Sequence, residues 1–213
     1  MTPQEIELRA RRMLNAVGSS FWSQTEIMDY ITAVCKDFSV ETECIENYYS
    51  TSTVASQEQY TIPTRAIKID RVEVDGSKLQ KIDERQRDAM RNNITTTLTS
   101  RPQYYFEANE VFELYPVPDA VYTMKVRTID YHDAVDTSST LEIPVEYQEI
   151  IVHGVVAMMS WKEVGDPRGD KFWNLFEQKK KIAAAKVRKL KRGDNYTRVK
   201  TEEEFLTTSY GII

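Results

Sequence analysis

The stretch LEIPVEYQEIIVHGVVAMMSWKEVGDP, residues 141–167, restricts the fold more than any other part of the chain. Pro144 suits the first turn of a helix, where its missing N–H would have no intrahelical partner, and Glu146 and Glu149 favour the positive N-terminal end. From Tyr147 onward, Ile150, Ile151, Val155, Met158 and Met159 take one side and Val152, Val156 and Trp161 the other. Both faces of this helix therefore want partners, and the rest of the chain must cover it. Gly154 costs about 1 kcal/mol relative to Ala in a helix interior, which predicts a neighbouring backbone or aromatic ring in close approach. Gly165, Asp166 and Pro167 are stop signals. Glu146, Glu149, His153 and Lys162 leave far fewer than the roughly 18 uninterrupted apolar residues of a membrane span.

Residues 1–17 mix acidic and basic side chains and lack the apolar core of a secretory signal, so the expected compartment is the cytosol in which the chain is made. The 213 residues, 41% hydrophobic and 29% charged with net charge −5, are enough for one large or two small domains with a proper core. Cys35 and Cys44 read as two reduced structural thiols rather than a disulfide or a metal pair. His132 and His153 are not spaced as metal ligands, and Asp133, Asp136 and Ser138 read as turn formers; no metal and no cofactor are expected.

In chain order, Thr2-Pro3-Gln4-Glu5 is a capping box ahead of Ile6, Ala10, Met13, Leu14 and Val17, a helix expected to end at Gly18. Ser23 to Glu26 repeats the pattern before Ile27, Ile31, Val34, Cys35 and Phe38, giving a helical hairpin with Phe21 and Trp22 as plugs in its joint. After about Asn47 the chain turns β-rich. Tyr60-Thr61-Ile62-Pro63 is strand material, and Ile67, Ile69, Val72 and Val74 lead through Asp75-Gly76 into residues 78–82, a hairpin with a bulge expected near Asp70. Residues 83–92 predict a short solvated helix. Residues 103–106, 111–115 and 121–131 predict three strands of a meander, the last alternating Tyr122, Met124, Val126 and Thr128 against Lys125 and Arg127. Residues 132–140 form a polar loop back to the central helix. Phe172, Leu175, Phe176, Ile182, Ala183 and Leu190 then recur at helical spacing up to Arg192, and Gly193 closes that helix.

This order predicts an α+β fold: a helical bundle of about four helices, an inserted antiparallel β-rich region and an extended C-terminal tail. The divisions are 1–47 for the hairpin, 48–140 for the insert, 141–193 for the central and C-terminal helices, and 194–213 for the tail. Two surfaces stand out. Lys179, Lys180, Lys181, Lys186, Arg188, Lys189, Lys191 and Arg192 concentrate positive charge in an acidic chain, suggesting an electrostatic face beside the blander reading of a solvated helix. Tyr196, Val199, Phe205, Leu206, Tyr210, Ile212 and Ile213 put apolar side chains in a segment without helical periodicity, which suggests docking on a partner or folding back on its own domain.

Four pieces carry a resemblance: Tyr60-Thr61-Ile62-Pro63; Val72-Glu73-Val74-Asp75-Gly76 with Leu79; Leu114-Tyr115-Pro116-Val117-Pro118-Asp119 and the β-run to Tyr131; and Leu141-Glu142-Ile143-Pro144-Val145-Glu146-Tyr147. In this order around a buried post-proline helix they resemble the head-to-tail connector (adaptor) proteins of tailed bacteriophages. The resemblance implies a structural virion protein in the neck. It would form a ring, commonly of twelve copies, beneath the portal, with tail or nozzle proteins below and a channel giving only transient, non-specific contact with genome DNA. No membrane is implied. Two other classes compete with it. An enzyme is disfavoured because the chain has no Gly-rich phosphate loop, His-Glu-x-x-His, Cys-x-x-Cys or nucleophile elbow, leaving only His153 with Glu149 one turn away. A nucleic-acid-binding accessory protein would use the basic helix end, without any recognisable reading motif.

Overall fold

Both predicted caps close their helices. The computed structural model describes residues 1–92, 98–163 and 166–191. In α1 (Pro3–Met13) the Thr2 hydroxyl accepts from the Glu5 N–H at 3.2 Å and the Thr2 N–H donates to the Glu5 carboxylate at 2.9 Å. The helix stops at Met13 and not at Gly18, because Asn15 takes a left-handed φ of 54° that Asn tolerates better than most residues. Ile6, Ala10 and Leu14 are buried, while Met13 and Val17, expected on the same face, are exposed. In α2 (Gln24–Thr42) the Ser23 hydroxyl accepts from Glu26 N–H, and Ile27, Ile31, Val34, Cys35 and Phe38 are wholly buried.

Glu43, also left-handed, turns the chain directly into β1 (Ile45–Ser52), so the β part begins slightly earlier than expected. The remaining elements are β2 (Gln59–Thr61), β3 (Ala66–Val74), β4 (Ser77–Lys78), β5 (Gln80–Lys81), α3 (Glu84–Asn92), β6 (Tyr104–Ala108), β7 (Val111–Tyr115) and β8 (Thr123–Asp130). A 3₁₀ turn (Val145–Tyr147), α4 (Gln148–Lys162) and α5 (Arg168–Lys191) follow. Pro144 caps the 3₁₀ turn, one step outside the first turn assigned to it. Among the described residues no helix is long and apolar enough to cross a membrane.

The strands form two four-stranded sheets, β1-β8-β3-β4 and β2-β7-β6-β5. The meander is thus corrected: β6 and β7 pair in one sheet, but β8 leaves them and inserts between β1 and β3 in the other. Its inward Met124 and Val126 stand opposite Val74 and Val72, so two matching apolar alternations close one face. The predicted hairpin turns at Asp75 and Gly76, with φ of 48° and 74°, and β3 carries register shifts beside Asp70. β4 is only two residues long because the chain changes sheets at the buried Leu79. Leu79 N–H donates to Val72 C=O in one sheet and Gln80 N–H to Gln103 C=O in the other. The pairing of β5 with β6 is parallel, so the β region is not purely antiparallel.

Two apolar cores result. One lies between the sheets, joining Val72, Val74, Met124 and Val126 to Tyr60, Tyr105, Phe112 and Leu114. The other surrounds α4, which α1, α2 and α5 all contact. Ile151, Val152, Val155, Val156, Ala157 and Met159 are buried around its whole circumference, as its sequence required. Gly154 makes the predicted close approach, with Val34 and the Phe176 ring against its Cα. Trp22 is buried and its indole N–H donates to Met159 C=O at 3.0 Å, whereas Phe21 stands edge-on outside it and is half exposed.

The buried stripe of α5 differs from the expected one. Ile182 and Leu190 are 70% and 51% exposed, and the buried line of α5 is Phe176, Lys180, Ala183, Ala184 and Val187. A lysine at an inward position hides that line from an apolar-periodicity reading. Its stem lies in the core while Nζ reaches Asp37 and Glu177, each at 2.6 Å.

Candidate functional site

The one acid–base pair the sequence offered does not form. His153 Nδ1 lies 2.8 Å from the Glu149 backbone carbonyl, while the Glu149 carboxylate turns away to pair with Arg9. His153 Nε2 faces Lys179 Nζ at 3.4 Å. Burial first, then the Lys179 charge, lowers the imidazole pKa, and with Nδ1–H donating to the carbonyl Nε2 is left as an acceptor for the lysine. The second histidine is spent structurally: His132 Nε2 accepts from Glu142 N–H at 3.0 Å, and its own N–H donates to Ser39 Oγ at 2.9 Å. His132 and Val135 are buried, so the otherwise exposed polar loop sends two side chains inward.

The basic residues of α5 do not share one open face. Lys180 is buried with Asp37 and Glu177; Lys186 reaches Glu146 and Arg188 reaches Glu41, at 3.4 and 3.5 Å. Lys191 Nζ donates to Glu43 C=O at 2.7 Å and pairs with Glu46 at 3.3 Å. Lys181 and Lys189 are exposed and meet no acidic side chain among the described residues. Arg192 lies outside the described residues, as do Tyr196, Val199, Phe205, Leu206, Tyr210, Ile212 and Ile213.

Two polar clusters were not read from the sequence. Asp130 is fully buried at the end of β8 and accepts from Asn47 Nδ2 and Tyr49 OH at 2.7 Å and from Thr128 Oγ at 2.5 Å. Burial, then the bond to Asp130, pushes the Tyr49 pKa up to about 12, so the phenol is a donor at any ordinary pH. Glu113, buried in β7 between Phe112 and Leu114, meets Arg87 and Arg91 of α3, and the Arg87 guanidinium also lies 4.4 Å from the Phe106 ring centre. The charged helix is therefore held on the sheet by its arginines. A lone Glu within an apolar strand was the available signal. Both clusters are satisfied internally, and among the described residues no group of three His, Cys, Asp or Glu could hold a metal ion. The polar chemistry thus joins elements to one another.

Taken together, the described residues form two four-stranded sheets and a helical core built around α4, with their polar clusters committed to structure. A family model described as SU10 adaptor protein matches residues 1–200, and the chain belongs to this family of phage head-to-tail adaptors. It is thereby a phage adaptor structural protein. No curated protein matches the chain.

Proposed function

We propose that this chain is the subunit of a ring, of twelve copies, that sits beneath the portal in the virion neck, joins capsid to tail or nozzle proteins and surrounds the path of the genome. The observation that carries this reading is the family match, which runs through the helical part, the β part and beyond Lys191. Residues 1–47 and 141–193 act as the helical body and 48–140 as an insert carried on it. Residues 194–213 are the portal-docking segment, with Tyr196, Val199, Phe205, Leu206, Tyr210, Ile212 and Ile213 as its apolar contacts. Each large side chain contributes about 1.5–3 kcal/mol when fully covered, against about 1–2 kcal/mol for every residue ordered, so docking needs a dense run of contacts repeated around a ring.

Deleting residues 205–213 tests the reading. The shortened subunit should keep its melting temperature and far-ultraviolet circular dichroism yet fail to co-purify with the portal protein. Normal portal binding by the shortened subunit would remove the docking assignment. Micrographs of virion necks lacking a ring of this protein between portal and tail would remove the ring as well.

A further inference from the structure

We propose that the outward face of α5 in one copy of this chain packs along the outward face of α2 in the next, a contact that rests on the ring reading above and names the surfaces that close the ring. Both helices bury one side and leave the other uncovered. In α5 the buried line is Phe176, Lys180, Ala183 and Val187, and the opposite side exposes Lys171, Gln178, Ile182, Ala185 and Lys189. In α2 the buried line is Ile27, Ile31, Val34 and Phe38, and the other side exposes Asp29, Ala33, Val40 and Glu41. Ile182 at 70% and Val40 at 46% are large apolar side chains left in water. Both helices contact α4 and turn these faces away from it. Two different patches on one subunit make a heterologous contact, which a rotation repeats around a ring.

Charge says that the occupant of each face is the other. Along α5 the order is Lys171, then Ile182 and Ala185, then Lys189; along α2 it is Asp29, then Ala33 and Val40, then Glu41. Each line is apolar in the middle and charged at its ends, with cations on one where the other has acids. Asp29, Lys171 and Lys189 meet no opposite charge among the described residues, and Glu41 meets Arg188 only at 3.5 Å with half its side chain in water. An apolar centre inside a charged rim is the anatomy of a specific protein interface.

The levels match as well as the signs. Inside one subunit Lys180 reaches Asp37, 143 residues away, and Arg188 reaches Glu41, 147 away, so α2 and α5 run in the same direction with fixed relative heights. A rotation about an axis along the helices keeps those heights. Between copies Asp29 then comes level with Lys171, Val40 with Ala185 and Glu41 with Lys189. Ala33 and Ala185 leave room for the close end of the usual helix spacing of about 8–10 Å. Lys181 stands on the flank of the α5 line and stays open. A single helix seam is small beside the roughly 1,000 Å² of a stable interface, so it forms where the portal sets the copies side by side.

Disulfide trapping of the full chain in virions tests this. In a Cys44→Ser background, a chain carrying both Val40→Cys and Ala185→Cys should give, after oxidation and electrophoresis without reductant, a ladder of multiples of the subunit. A mixture of the two single-cysteine chains should stop at dimers, and either alone should stay monomeric. Leu8→Cys with Ala185→Cys, which joins α5 to the wrong helix, should cross-link severalfold less. Monomers alone from the double-cysteine chain, dimers from one single-cysteine chain, or an equal ladder from the Leu8 control would overturn the contact. A second test needs no cysteine: Asp29→Lys and Lys171→Glu should each leave the melting temperature unchanged and lower the copies per virion severalfold, and the two together should restore them. No loss, or no restoration, would also overturn the contact. Micrographs of the same particles keep the two readings apart, since a ring without the ladder removes this contact alone and necks without a ring remove the ring reading.

Discussion

Replacing Gly154 by alanine sets two effects of known sign against each other. Helix propensity alone favours Ala by about 1 kcal/mol in a helix interior. The new methyl, however, would lie 2.6 Å from Val34 Cγ1, 3.1 Å from Val34 Cγ2 and 3.2 Å from Phe176 Cδ2. Carbon atoms in good contact stand about 3.5–4.0 Å apart. Val34 cannot retreat easily, because it is wholly buried in α2 and a β-branched side chain there has one strongly preferred rotamer. Overpacking of this kind costs about 1–3 kcal/mol, and with both neighbours fixed its upper half applies. The net expectation is a loss of about 1–2 kcal/mol, or roughly 2–8 °C in melting temperature for a chain of this size. Thermal unfolding followed by circular dichroism measures it. Val34→Ala completes a cycle: alone it opens a cavity, but with Gly154→Ala the methyl occupies the vacated space, so the double variant should be more stable than the sum of the two losses by about 1 kcal/mol or more. A Gly154→Ala protein that melts at or above the parent temperature, or a strictly additive cycle, would refute the packing argument.

Lys180→Met should cost about 1 kcal/mol at neutral pH, well below the roughly 3–5 kcal/mol of a fully buried pair, because water can solvate the partly exposed Asp37 and Glu177. Burial works to lower the Lys180 pKa, but the hydrogen bonds to Asp37 and Glu177 outweigh it and the net shift is upward. That stabilisation is therefore complete below the ordinary lysine pKa of about 10.4 and is lost as pH rises through the higher folded value. Calorimetry from neutral to strongly alkaline pH should show the parent–variant gap shrinking above that point, and a constant gap would count against the pair. Burial also raises the thiol pKa of both Cys35 and Cys44. In a thiol-reagent titration of the native protein Cys35 should be silent and Cys44 slow, both reacting once guanidinium unfolds the chain; two fast native thiols would contradict the packing.

Where one residue's chemistry decides a local outcome, that outcome was legible. Thr2 and Ser23 cap because their hydroxyls reach the N–H three residues on, and Asp75-Gly76 turns because both positions accept positive φ. Gly154 announced a close neighbour by being costly in a helix with no other visible reason. What stayed hidden depends on partners distant in sequence. β6, β7 and β8 look alike as β-branched and aromatic runs, and only the match of Met124 and Val126 to β3 sends the last of them to the other sheet. Leu79 reads as one more strand residue, although the chain changes sheets there. In α5, Lys180 at an inward position conceals the buried stripe because its counter-ion Asp37 lies in α2. The basic residues are legible as a count along the chain, but the acids that face four of them come from α2, β1 and the 3₁₀ turn before α4.

On the proposed reading, that distribution of acids bears on how α5 would meet the genome. Phosphate binding gains its strength by releasing counter-ions from DNA, and it needs cations that are not already engaged. Lys186, Arg188 and Lys191 face Glu146, Glu41 and Glu46, so a duplex brought against α5 must compete with carboxylates held on the same subunit. Exposed pairs of this kind are worth only about 0–1 kcal/mol each, so they neither hold α5 in place nor strongly resist exchange. Their main consequence is to break a row of positive charge into a surface of mixed sign, with Lys181 and Lys189 as the exposed cations that meet no acid among the described residues. Such a surface attracts a polyanion weakly and releases it readily as salt rises. In the ring proposed above, that balance would let the genome pass, since a helix that gripped the duplex would oppose its passage.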